Sequence, residues 1–327
     1  MKLLLIFTGG TIGSTEGDGT ISVDTEKPHL LCRAYEAEYP IDFSYDILTP
    51  LWEQSENFSG AQISTLLKVV TAHIDAGYDG IIVTHGTDTL NYTAAALGYA
   101  LGNDTIPVCL VSANYTLEDA RSNALPNLHA AVSLIRAGTE RGVFVSYRNG
   151  DEPLVQIHRA TRLSASLSLA DEVFSVQNCS YGYINMKGQF VKNPQFVEQA
   201  DALDAPDIHA LTERSTGILR IFPYPGMISP TLTDDIRAIL LDTYHSGTMD
   251  GKSAEVHAFL TAAKAKNIPL FTTGDAAYES AQIFSLYGVT RLLISPVAAY
   301  VKLWFYGPQT DLSKSRGGDV FLRCTSK

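Results

Sequence analysis

Leu3-Leu4-Leu5-Ile6-Phe7-Thr8-Gly9-Gly10-Thr11-Ile12 opens the chain with an apolar run that leads straight into a glycine pair. Such a run, ended by glycines, reads as a strand buried on both faces that meets a tight turn. The two glycines let the backbone bend sharply and leave its N–H groups accessible to an anionic ligand atom. Thr11 then stands on a loop at the carboxyl end of a strand, where open α/β sheets place their ligands. Taken alone, the stretch is equally an ordinary strand-to-loop turn.

A second stretch repeats the pattern. Gly80-Ile81-Ile82-Val83-Thr84-His85-Gly86-Thr87-Asp88-Thr89-Leu90 is again a buried strand, now ending in a polar cluster that opens a helix. Thr87 and Asp88 suit a helix N-terminus, because their oxygens accept from unpaired N–H groups. Capping accounts for one or two such residues but not for two rich polar turns after two buried strands. The ordered pair TGGTI and THGTDT resembles the two signature motifs of the bacterial-type L-asparaginases. The resemblance extends over nearly the whole chain and favours the cytoplasmic, type I-like branch, whose Leu-Arg-Ser-Asp phrase is echoed by Ala120-Arg121-Ser122-Asn123.

The rest of the chain alternates in the same way. Helical periodicity over 59–76, 89–101 and 123–136 separates apolar strands at 80–84, 107–111 and 142–147, and a further strand is expected at 43–49. Fully apolar strands spaced by helices indicate a parallel sheet covered on both faces. Residues 151–189 carry shorter β patterns at 153–157, 173–176 and 183–191. Residues 193–213 are acidic, proline-containing and weakly periodic, as a linker would be. Beyond them come strands at 216–222, 238–244, 268–273 and 291–295, with helices at 254–266 and 297–305. The expected fold is therefore two-domain α/β: a larger N-terminal domain over 1–192 with a mostly parallel sheet, a linker over 193–213, and a smaller α/β domain over 214–327.

Composition agrees. At 327 residues, 45% hydrophobic and 18% charged, the chain supports two well-packed cores. A net charge of −11 offers no basic patch, which argues against nucleic acid or an anionic membrane as partner. No apolar run approaches the ~20 residues needed to span a bilayer. Cys32, Cys109, Cys179 and Cys324 are scattered without a CxxC pair, as expected of free thiols in a reducing cytoplasm. Metal clusters, a Gly-Lys-Ser/Thr phosphate loop and a Gly-x-Ser-x-Gly elbow are missing from the sequence, so no cofactor is expected.

The resemblance implies a set of roles. Thr11 would be the nucleophile, Thr87 the second catalytic threonine, and Asp88 the partner of the substrate's ammonium. Ser55 and Glu56, in Trp52-Glu53-Gln54-Ser55-Glu56-Asn57-Phe58, match the family's substrate loop and would face the α-carboxylate and α-amino groups. On the sequence alone they are helix-start residues. Gly10, Gly86 and Thr87 would supply main-chain donors, and Ala113 its backbone carbonyl. Family sites are completed across a dimer, so a homodimer or dimer of dimers is expected, with Glu279 as the residue donated by the partner.

Two family residues are absent. The lid matching residues 13–25 normally carries a tyrosine, but Gly19-Thr20-Ile21-Ser22 places Thr20 there. A lysine normally partners the second threonine, but an ungapped match puts Ala165 at its position, and no lysine occurs between Arg141 and Met186. Arg159 or Arg162 would restore charge without serving as a base, since guanidinium stays protonated. The expected activity is hydrolysis of the side-chain amide of L-asparagine, or of a related amino-acid amide, to aspartate and ammonia. The alternative is a divergent homologue that binds or senses an amino acid with little turnover.

Overall fold

The computed structural model describes all residues except 11–13, 18–19, 24–26, 151, 210, 212–215, 274–278 and 322–327; at 14–17, 20–23, 27–28 and 279–280 it describes the backbone alone. In chain order the first half runs β1 (Lys2–Phe7), β2 (Ser14–Gly17), β3 (Thr20–Val23), α1 (Lys27–Glu38), β4 (Ser44–Leu48), α2 (Gly60–His73), β5 (Gly80–Thr84), α3 (Leu90–Leu101), β6 (Val108–Val111), α4 (Ala124–Ala137) and β7 (Val143–Tyr147). Then follow β8 (Val155–Arg159), β9 (Gly182–Ile184), β10 (Phe190–Lys192), β11 (Ile218–Ile221), β12 (Ala238–Leu241), α5 (Ala254–Ala265), β13 (Leu270–Thr273), α6 (Glu279–Tyr287), β14 (Thr290–Leu292) and α7 (Pro296–Tyr306).

An eight-stranded sheet has the order β10-β9-β8-β7-β6-β5-β1-β4. Its β4, β1, β5, β6 and β7 are parallel, and β8, β9 and β10 extend it antiparallel. Every residue of β5, β6 and β7 is buried, as the unbroken apolar runs require of strands covered on both faces. One face packs against α2 and α3, through residues such as Leu66, Val70, Ala94 and Leu97. The other packs against α1 and α4, through Leu31, Tyr35, Leu128 and Leu134.

From β1 the chain moves to β4 on one side, then crosses to β5 on the other. The crevice between the carboxyl ends of β1 and β5 is thus a topological switch point, the usual ligand position in open α/β sheets.

A second, four-stranded parallel sheet follows the order β11-β12-β13-β14. Its Ala238, Leu240, Phe271 and Leu292 join α7 in the core that also takes in α2 and α3. Its other face is covered by α5 and α6 through Phe259, Leu260, Ile283 and Phe284. Parts of the 193–209 stretch are anchored to both cores. Ile208 is buried in the core shared with α7 and Phe196 in the core beneath α1 and α4, and the Asp201 carboxylate accepts from the backbone N–H groups of Asn103 (2.8 Å) and Gly317 (2.7 Å).

Several local expectations are revised. Ser55 and Glu56 do not start a helix: they lie in a 3-10 turn, Ser55–Asn57, and α2 begins five residues later behind a capping box of Ser59 and Gln62. The β pattern at 173–176 forms only a bridge from Leu163 to Ser175, because the left-handed Gln177 and Asn178 turn the chain away. The pattern at 183–191 folds back on itself as the β9–β10 pair. Helices α1 and α6 are additional to the sequence reading.

Candidate active site

The register of the large sheet builds the site. Phe7 of β1 lies beside Thr84 of β5, so the turns that follow, Thr8-Gly9-Gly10 and His85-Gly86-Thr87, run next to each other. The Thr8 hydroxyl ties them by donating to the Thr84 carbonyl at 2.7 Å. Gly9 and Gly10 have φ of 99° and 79°, a left-handed region that side chains disfavour. Contact excludes side chains as well: a Cβ at Gly10 would fall 2.4 Å from the Gly86 nitrogen, and one at Gly9 2.4 Å from the Glu53 oxygen. The glycine pair exists because three backbone segments meet here.

Ser55 locks the third segment to the second. It is buried, and its Oγ donates to Asp88 Oδ2 at 3.0 Å while accepting from the Asp88 N–H at 3.2 Å. Thr89 Oγ1 donates to the Ser55 carbonyl at 2.8 Å, and the Glu53 N–H donates to the Thr8 carbonyl at 3.0 Å. Ser55, Gly10, Gly86, Thr87 and Asp88 are therefore brought together at the switch point. Glu56 is exposed next to Ser55. Thr87 is half-buried and Asp88 is exposed, both placed at the start of α3.

His85 braces this arrangement. Its Nδ1–H donates to the Gly86 carbonyl at 2.7 Å, which fixes the tautomer and the plane of the peptide leading to Thr87. Its ring packs edge-on to Phe58 at 4.6 Å. Full burial pushes its pKa down to about 4, so the imidazole is neutral and structural here. A histidine inside the motif signalled this position, but only the fold shows which carbonyl it holds.

The loop after β6 lies on the same edge, since the His85 N–H donates to Val111 O at 2.9 Å. Ala113 is buried there. Asn114 Nδ2 donates to Asp171 O at 2.6 Å, Tyr147 donates its hydroxyl to Asn114 Oδ1, and Tyr115 donates to Asp171 Oδ2 at 2.9 Å. This network draws the 164–174 loop over the site's flank. Ala165 is on that loop and exposed, and the buried Asn91 amide reaches Ser164 O (3.3 Å) and Ser166 Oγ (3.4 Å) on either side of it. Asn91 is the second residue of α3, in the first turn behind Thr87 and Asp88. It is a contact of the site that the motifs did not reveal.

The charges considered as substitutes for the lysine are committed elsewhere. Arg162 is buried and donates to the carbonyls of Gly318 (2.6 Å), Val197 (2.7 Å) and Val320 (2.9 Å), and burial lowers its pKa to about 10. Arg159 pairs with Glu198 at 2.6 Å. His158 is buried against Ser175 Oγ at 2.8 Å, its pKa pushed down to about 4. Thr11 lies outside the described residues. Of Thr20 and Glu279 only the backbone is described: Thr20 begins β3, and Glu279 begins α6. Among the described residues no group of three or more His, Cys, Asp or Glu side chains could hold a metal ion, and no helix is long and apolar enough to cross a membrane.

The chain is similar to several known proteins. The L-asparaginase of Thermococcus kodakarensis is 27% identical over 97% of this chain and 96% of its own. One component of the glutamyl-tRNA(Gln) amidotransferase of Methanosphaera stadtmanae is 24% identical over 79% of this chain and 60% of its own. The same component from Methanosarcina barkeri and Methanosarcina acetivorans is matched over 45% and 43% of its length, so the chain spans about half the length of these curated relatives. The crystal structure of L-asparaginase I from Vibrio cholerae shares the fold, with a TM-score of 0.76 at 21% identity over 98% of this chain and 99% of that one. The family profile described as Asparaginase, N-terminal matches residues 2–195, which hold both glycine-bearing turns, Ser55 and Asp88. On this match, the chain belongs to the asparaginase family.

Proposed function

We propose that the protein is an amidohydrolase that releases ammonia from the side-chain amide of L-asparagine or a related amino-acid amide. The observation that carries this reading is the meeting of Gly10, Ser55, Gly86 and Asp88 at the β1/β5 switch point. Asp88 and Glu56 receive the substrate's ammonium there, with Ser55 beside its carboxylate. Thr11 attacks the amide carbon, the main-chain N–H groups of Gly10, Gly86 and Thr87 support the oxyanion and substrate, and the Ala113 carbonyl holds the amide nitrogen. The C–N bond breaks with loss of ammonia, and water then hydrolyses the threonine ester. We further propose a cytoplasmic homodimer or dimer of dimers, divided within each copy at residues 193–213 and completed across the interface by Glu279.

The test is ammonia release from L-asparagine, L-glutamine, D-asparagine and β-aspartyl amides. Asp88→Asn should weaken substrate binding by about 2–5 kcal/mol, because the ammonium loses its charge partner. Binding and turnover equal to the wild type would remove Asp88 from the site. The second reading, a binding or sensing protein with little turnover, is favoured by one observation: Ala165 stands at the lysine position while Arg159 and Arg162 are held by other groups. Tight asparagine binding without ammonia release would select it.

A further inference from the structure

We infer that the cleft between the two sheets, beside the Ser55–Asp88 turn, binds a small uncharged aromatic molecule that carries a hydrogen-bond acceptor, such as an aryl amide. The cleft has a volume of about 380 Å³, within the range of small-molecule sites. Phe58 and Tyr92 wall it on the side of the large sheet, and Phe222, Tyr300 and Trp304 on the side of the small one. The rings are not packed into a single stack. Tyr92 and Tyr300 meet edge-on at 5.7 Å, and Phe222 remains 57% exposed although it flanks a buried guanidinium.

The guanidinium decides the ligand's charge. Among the described residues Arg220 is the only charged one lining the cleft, and its side chain is 8% exposed. It donates through Nε to Asp242 Oδ2 at 3.0 Å, with Nη2 2.9 Å from the same oxygen in the ion pair, and through Nη1 to the Tyr92 hydroxyl at 2.8 Å, and its guanidinium carbon lies 4.5 Å from the Phe222 ring centre. Asp242 neutralises it, so a ligand carboxylate or ammonium would be desolvated in the cleft without a free opposite charge to meet it. These contacts use three of the five N–H groups, which leaves donors for a neutral acceptor. The Thr216 and Tyr300 hydroxyls, 3.1 Å apart, add a second polar edge. Aromatic walls around a few directed donors favour a planar ring bearing a carbonyl. The cleft would hold such a ligand whether or not the proposed amidohydrolase reaction takes place.

Benzamide titrated into the full chain tests the site through tryptophan fluorescence, since Trp304 is one of only two tryptophans. The expected result is a saturable change, half complete at about 1 mM or below. It should vanish in Trp304→Phe and weaken about 2- to 10-fold in Phe222→Ala, whose exposed ring can be removed without opening a core. Benzoate and benzylamine should bind at least about tenfold more weakly, and saturating asparagine should not compete. No saturation, or a change that persists in Trp304→Phe and so reports Trp52, would overturn the inference. So would displacement by asparagine, or benzoate binding as tightly as benzamide. Sedimentation showing that Phe222→Ala splits an assembly would overturn it too, because a second copy would then cover the cleft.

Discussion

Replacing Gly86 by alanine probes the join on which the candidate site depends. A Cβ there would fall 2.4 Å from Ser55 Oγ and 2.6 Å from Ser55 Cβ, against 3.3 Å from Gly10 Cα. Carbon atoms pack at about 3.5–4.0 Å, so the first two contacts cannot stand without displacing Ser55. Gly86 is not in the left-handed region, and the penalty is therefore steric, about 1–3 kcal/mol for an overpacked site. Ser55→Gly alone removes the hydroxyl that bonds Asp88 twice, a loss of about 1–3 kcal/mol. Independent effects would add. Because Ser55→Gly also removes both short contacts, the double variant should be about as stable as Ser55→Gly itself, a favourable coupling of about 1–3 kcal/mol. Urea midpoints of the four proteins at constant m give the cycle directly. Additivity within about 0.5 kcal/mol would show that Ser55 does not sit against Gly86 and would dissolve the site as described. Ammonia release should stay impaired in the double variant, since Asp88 remains without its hydroxyl partner.

Other outcomes are expected. His85 and His158 are neutral in the folded protein with pKa values pushed down to about 4 by burial, whereas the unfolded chain protonates near the ordinary 6.5. Their contribution is complete above pH 6.5 and is lost as pH falls toward 4, by about 3 kcal/mol each. His158→Gln should flatten that acid loss in urea midpoints taken at about pH 7 and about pH 4.5, and an unchanged loss would contradict the assignment. Lys302 and Asp319 form a fully buried pair at 2.6 Å, with the Tyr99 hydroxyl also donating to Asp319 at 2.9 Å. Lys302→Met should destabilise by about 3–5 kcal/mol, and adding Asp319→Asn should recover part of that; a single variant within about 1 kcal/mol of wild type would refute the pairing. Thr20→Tyr combined with Ala165→Lys should raise kcat more than it changes KM, because a positioned acid or base is worth about 10²–10⁴-fold. No gain in ammonia release would mean that those two positions are not where proton transfer is organised.

Where structure is set within one or two turns of chain, the residues are enough to read it. β5 spans residues 80–84 as its apolar run requires, and β4, β6 and β7 lie within the stretches expected for them. Helices α2, α3 and α4 end within a few residues of their periodic patterns. The glycine pair at 9–10 announces a turn because few other residues adopt its backbone. α1 is not legible in this way because its sequence, KPHLLCRAYEAE, is polar overall with few apolar residues; packing of Leu31, Cys32 and Tyr35 against the sheet makes it a helix.

Contacts between distant segments belong to tertiary structure alone. Ser55 meets Asp88 across 33 residues, and Arg220 meets Tyr92 across 128. Neither follows from periodicity, because both depend on strand order and register: β1 placed between β4 and β5, and β11 turned toward α3. The same holds for Arg162. Its sequence position offers a charge beside the lysine's vacant place, but chain folding turns its guanidinium to the carbonyls of Val197, Gly318 and Val320. A residue's type and its neighbours along the chain determine which local conformations and chemistries it can support. Which distant group it meets is decided by the cooperative packing of whole layers, so periodicity and turn chemistry reveal the turns, whereas their assembly into one site was expected only from the family resemblance.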